Sequence, residues 1–126
     1  MAMTKTDKTK LKDIEQQLKD FKFNDCKLHN IELDIQELQD QLEQQQDLQL
    51  MQELNRLVNI KNRLQRNMEA LRAAMDTLND LEKKLINFRY FMQLSWQQVS
   101  NKLHMNVNAL CNRLRIKILT DISKCL

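Results

Sequence analysis

The sequence predicts an all-α chain: a long helical hairpin or coiled-coil region followed by a C-terminal helix-turn-helix. Three observations carry this expectation. The 126 residues include no glycine and no proline, the two residues that most often mark turns and interrupt helices. Leucines recur every seven residues at Leu50, Leu57, Leu64, Leu71, Leu78 and Leu85, the spacing of a helix seam. Residues 87–126 divide, by their capping signals and apolar spacing, into short helices separated by tight turns.

Residues 1–10 are polar and are expected to be a flexible N-terminus. Residues 11–86 read as one helical region. Leu11, Ile14, Leu18 and Phe21 step by three and four, as on one face of a helix. The stretch 22–30 holds Asn24, Asp25, His29 and Asn30, residues that favour caps and turns, and a break is expected there. Helical spacing resumes with Leu28 or Ile31, then Ile35, Leu38 and Leu42. Residues 43–47, with three consecutive glutamines, have no apolar side chain and predict either a register shift or the tip of a helical hairpin.

The leucine series then takes the d positions of a heptad, with Leu54, Lys61, Met68, Met75 and Glu82 at a. Polar Lys61 and Glu82 weaken such a seam and help set its register. Val58 and Leu81 widen the stripe, as an antiparallel hairpin or bundle requires. Leu50, Leu57, Leu64, Met68, Leu71, Met75, Leu78 and Leu85 are therefore the expected oligomerisation surface of a homodimer. The rival expectation is that the N-terminal helices cover this stripe within one chain.

In the C-terminal segment, one helix is expected to end near Met92. Ser95, with Gln98 three residues on, forms a capping box for the next. Trp96, Val99 and Leu103 make that helix's inner face. His104-Met105-Asn106 reads as a turn, with Met105 pointing into the core and Asn106 capping a final helix over about 107–118. Its inner face is Val107, Leu110 and Leu114. Its outer face offers Asn108, Ala109, Cys111, Asn112 and Arg115, with amide, small and guanidinium groups and no carboxylate. Such groups suit base edges in double-stranded DNA: Asn pairs with adenine, Arg with guanine, and Ala touches a thymine methyl. Arg89, Lys102, Arg113 and Lys117 flank this face and suit phosphates. Charge agrees. From Phe88 onward six basic residues stand against Asp121 alone, a net +5, while the fourteen basic and sixteen acidic residues before it give −2.

The run Phe88-Arg89-Tyr90, Leu94-Ser95-Trp96, Val99-Ser100, Leu103, Met105-Asn106-Val107, Leu110, Arg113-Leu114 and Lys117-Ile118 resembles, without a gap, the helix-turn-helix of sigma-factor region 4. The resemblance covers about a quarter of the chain. It implies DNA binding and contact with RNA polymerase. Gln93 and His104 stand where that family usually carries glycine. A left-handed backbone at His104 costs about 1 kcal/mol, and histidine is among the better-tolerated substitutes. The layout as a whole is similar to small phage-encoded transcription regulators, including late-gene activators.

Other classes are less well supported. A glycine-free chain has no glycine-rich phosphate loop. Cys26, Cys111 and Cys125 are odd in number and lack metal-ligand spacing, which predicts reduced thiols and a cytoplasmic location. No apolar run approaches the roughly 18 residues of a membrane span, and the polar start predicts no signal peptide. Neither a nucleophile–base pair nor a metal cluster is apparent, so no enzyme activity and no cofactor are expected. Two further readings remain: a DNA-packaging protein similar to a small terminase subunit, and a polymerase adaptor that never reads DNA.

Overall fold

The computed structural model describes residues 5–126, and among them every regular element is helical. α1 runs unbroken over Lys5–Gln44 and α2 over Leu48–Asp76. α3 (Asp80–Ile86) continues through a π-helical turn, Asn87–Phe91. α4 spans Trp96–Leu103. A final helical segment starts as α5 (Val107–Ala109), passes through a second π-helical turn, Leu110–Leu114, and ends as α6 (Arg115–Cys125). The all-α expectation holds.

Two expected breaks shift. Residues 22–30 are helical throughout. With neither glycine nor proline in the stretch, its polar residues cost at most about 0.7 kcal/mol each in a helix, and half-buried Asn24 carries the three–four spacing from Phe21 to Leu28. Residues 5–10, expected to be flexible, form the first turns of α1, while residues 1–4 lie outside the described part. The Gln-rich stretch is a turn between two helices: Asp47 caps α2 by accepting the Gln49 N–H at 2.8 Å, and its carbonyl accepts the Met51 N–H at 3.0 Å.

The heptad series crosses a helix end, so it is not one coiled-coil seam. Leu78 lies in the turn after α2, where the Thr77 hydroxyl donates to the Ala74 carbonyl at 2.7 Å. Asn79 and Glu82 then form a reciprocal capping box that starts α3. That Asn-x-x-Glu signal is visible in the sequence and outranks the leucine spacing.

The chain divides into two compact units: residues through Phe21 with Ala70–Leu126, and Lys22–Glu69. In the first, Leu11, Ile14 and Leu18 of α1 join Leu71, Ala74 and Leu78, then Leu85, Ile86, Tyr90, Val99, Leu110, Ile118, Leu119 and Ile122, in one buried cluster. The domain boundary expected between residues 86 and 87 therefore falls inside a single core. A 40-residue C-terminal segment has too little apolar surface to fold alone, and the start of α1 supplies the missing wall. The second unit is a two-helix hairpin whose buried apolar residues are Ile31, Ile35 and Met68. The leucine series splits accordingly. Leu71, Leu78 and Leu85 are 3, 6 and 0% exposed within one chain and are not a free oligomerisation surface, whereas Leu50, Leu57 and Leu64 are half-buried.

Candidate nucleic-acid interface

The chain reverses twice to bring α4 and the last helix together, and each reversal uses a left-handed residue. After the first π-helical turn, the Met92 N–H donates to Asn87 O at 2.8 Å and the Leu94 N–H to Phe88 O at 2.9 Å, with Gln93 between them at φ 56°. Ser95 then caps α4. Its Oγ accepts the Gln98 N–H at 3.2 Å, and the Gln98 Oε1 accepts the Ser95 N–H at 2.9 Å. α4 ends on His104 at φ 55°, whose N–H donates to Ser100 O. The Ser100 hydroxyl donates to the Met105 carbonyl and fixes the turn. Asn106 caps the last helix by accepting the Asn108 N–H at 2.7 Å. Among the described residues, Gln93 and His104 are the two non-glycine positions with positive φ. Met105 is half-buried against the core, and Val99 and Leu110 are fully buried.

This geometry leaves one end of the last helix facing outward. Asn106, Asn108, Ala109, Asn112 and Arg113 line a single open groove. Asn108, Asn112 and Arg113 are exposed, and Ala109 and Cys111 are half-buried. The helix itself continues to Cys125, beyond the expected end near Ile118, because Ile118, Leu119 and Ile122 bury their whole side chains in the core.

Several basic residues expected to face DNA are engaged by other groups of the fold, Arg115 and Arg89 half-buried and Lys117 at the surface. Arg115 donates through Nε to the Cys111 carbonyl at 3.0 Å and through a terminal nitrogen to the Glu15 carboxylate at 2.9 Å. The second oxygen of Glu15 accepts the Tyr90 hydroxyl at 2.6 Å. Arg115 thus ties the last helix to α1 rather than joining the outward groove. Lys117 donates to Glu82 at 2.9 Å and to Asp121 at 3.0 Å. The Glu82 side chain is only 4% exposed, and its other oxygen accepts the Asn79 N–H at 3.1 Å. One carboxylate therefore caps α3 and anchors α6. Arg89 donates to the Leu94 carbonyl at 2.9 Å and lies 4.6 Å over the Trp96 ring, bracing the first reversal. Of the four flanking cations, Lys102 and Arg113 are exposed and in no ion pair among the described residues, although Lys102 also lies 5.6 Å over the Phe88 ring.

Protonation follows the packing. Burial first, then the hydrogen bond to Glu15, pushes the Tyr90 hydroxyl well above the ordinary tyrosine range, so it stays a donor. The hydrogen bond to Glu82, then that to Asp121, raises the Lys117 ammonium above 10.5.

A family model described as "Protein of unknown function (DUF722)" matches residues 3–124. The chain belongs to the DUF722 family. No curated protein and no solved structure matches it. In this DUF722 chain, no group of three or more His, Cys, Asp or Glu among the described residues is placed to hold a metal ion. Cys26 and Cys125 are exposed, and Cys111 is half-buried. No described helix is long and apolar enough to cross a membrane. Glu15, which positions the last helix of the DUF722 chain, carries no sequence signal, and Tyr90 stands out only within the run that resembles region 4. Glu15 lies 75 residues from Tyr90 and 100 from Arg115. Glu82 did give one, as the third helical residue of the Asn79 capping box.

Proposed function

We propose that this DUF722 protein is a sequence-specific DNA-binding regulator of transcription that reads the major groove with the outward start of its last helix. The observation that carries the reading is the groove of Asn106, Asn108, Ala109, Asn112 and Arg113, which presents amides, one methyl and one guanidinium without a carboxylate. A short helix and a tight three-residue turn precede it, the arrangement that lets one helix project into a groove of DNA. Asn108 and Asn112 are the base readers in this proposal, Ala109 and Cys111 close-approach positions, and Arg113 and Lys102 phosphate contacts. Arg115, Lys117 and Arg89 position the helix and the turn.

The left-handed backbone at Gln93 and His104 supports the match to region 4, and with it the inference of a phage-type regulator working beside RNA polymerase. Pairing of two copies belongs to the same proposal, since one such helix reads only a few base pairs. The surface for it is the hairpin 22–69, where Leu50, Leu57 and Leu64 are half-buried and Leu33, Leu48 and Met51 exposed.

Selection of duplexes from a random pool with the purified chain tests the reading. A recurrent motif, with half-sites separated by whole helical turns, is expected. A pool that stays unenriched, with affinity the same for every duplex, sinks it.

A further inference from the structure

We propose that α1 supplies a second DNA-contacting surface, in which Lys8 and Lys12, continued by Lys5, grip duplex phosphates beside the last helix. The proposal rests on the DNA-binding reading above and adds a contact outside the C-terminal segment. Lys5, Lys8 and Lys12 are spaced by three and four residues, so they share one stripe of α1. All three are exposed, and none is in an ion pair among the described residues. Lys8 and Lys12 line one cleft with Leu11, Glu15, Arg115 and Ile116, which sets them against the last helix about one turn beyond Asn112 and Arg113 of the outward groove.

The acidic residue that follows on this stripe does not cancel it. Glu15 accepts from both Arg115 and Tyr90, so its charge is committed inside the fold. A row of unpaired ammonium groups on flexible four-carbon stems suits phosphates, which need charge but no base-specific geometry. The stripe would therefore add affinity and fix orientation without changing which sequence is read.

The experiment is a salt titration of fluorescence anisotropy with the full chain, on the pool-selected duplex and on a random duplex. It compares wild type, K8Q/K12Q and K10Q/K27Q. Lys10 lies on the opposite flank of the buried stripe of α1, and Lys27 is exposed in the hairpin unit. Each lost phosphate contact lowers the slope of log affinity against log salt by about 0.9. K8Q/K12Q is therefore expected to flatten the slope by about 1.8. With affinity at 1 M salt unchanged, that is a loss on the order of 60-fold at 0.1 M, equal on both duplexes. K10Q/K27Q is expected to leave the slope in place, and thermal melts of both variants to match wild type. A wild-type slope in K8Q/K12Q overturns the stripe and leaves the DNA-binding reading standing. An equal flattening in K10Q/K27Q overturns it too, as general charge attraction. Absence of duplex binding by wild type overturns the DNA-binding reading and the stripe together.

Discussion

The two ends of the last helix carry the same kinds of residue and do different work. At its start, Asn108, Asn112 and Arg113 are exposed along an open groove. From Arg115 onward the same helix is built into the core: Ile118, Leu119 and Ile122 are fully buried, and Arg115 and Lys117 are held by Glu15 and Glu82. The contrast teaches that a basic residue placed outward by helix phase is not thereby free to bind a ligand. Its role depends on whether the fold brings a carboxylate within reach. Arg113 and Arg115 differ by two residues, which turns one outward and the other toward α1.

Substitutions at the two ends should separate stability from recognition. The largest effect is expected at Ile118→Ala, which empties a site of zero exposure. Chemical denaturation should show a loss of about 2–5 kcal/mol. A change within error would place that end of the helix outside the core and erase the contrast. Glu15→Ala comes next, since it strands the Arg115 guanidinium and the Tyr90 hydroxyl in a partly buried site. A loss of about 1–3 kcal/mol is expected. Unchanged stability would show that Arg115 has no internal role and return it to the DNA-facing set.

Behaviour at high pH follows from the same packing. Tyr90 and Lys117 both have folded-state values above their ordinary ones of 10.0 and 10.5. Their contribution is therefore complete below about pH 10 and is lost as pH rises further, when the unfolded chain releases protons that the folded chain keeps. Melting temperature should hold to about pH 9.5 and then fall. Tyr90 is the one tyrosine in the sequence, so phenolate absorbance reports on it alone. It should appear together with unfolding, and titration near pH 10 in the folded protein would show an exposed hydroxyl and an open Glu15 contact.

Local signals in the sequence proved more legible than distant ones. The Ser95–Gln98 capping box, the Asn106 cap and the turn that starts at His104 all stand where short-range chemistry puts them, while the left-handed backbone of His104 is implied by the resemblance to region 4. Lys22–Asn30 misleads because cap-forming residues also fit a helix interior when the apolar spacing continues past them. The leucine repeat misleads for a different reason. Its period survives the helix end at Thr77–Asn79, yet Leu71, Leu78 and Leu85 each meet the chain's own core. In the candidate interface, the outward Asn108 and Asn112 follow from helix phase alone. The retention of Arg115 by Glu15 and of Lys117 by Glu82 does not, because those carboxylates stand 100 and 35 residues away and reach their donors only through folding.

The most direct test of the central claim compares Asn112→Ala with wild type on the selected duplex and on random duplex. Asn112 is exposed in the groove, so its loss should leave stability unchanged. Binding to the selected site should weaken by about 1–3 kcal/mol, with preference relaxed at one base pair and binding to random duplex unaltered. An equal loss on both duplexes, or none on either, would contradict base reading by this face.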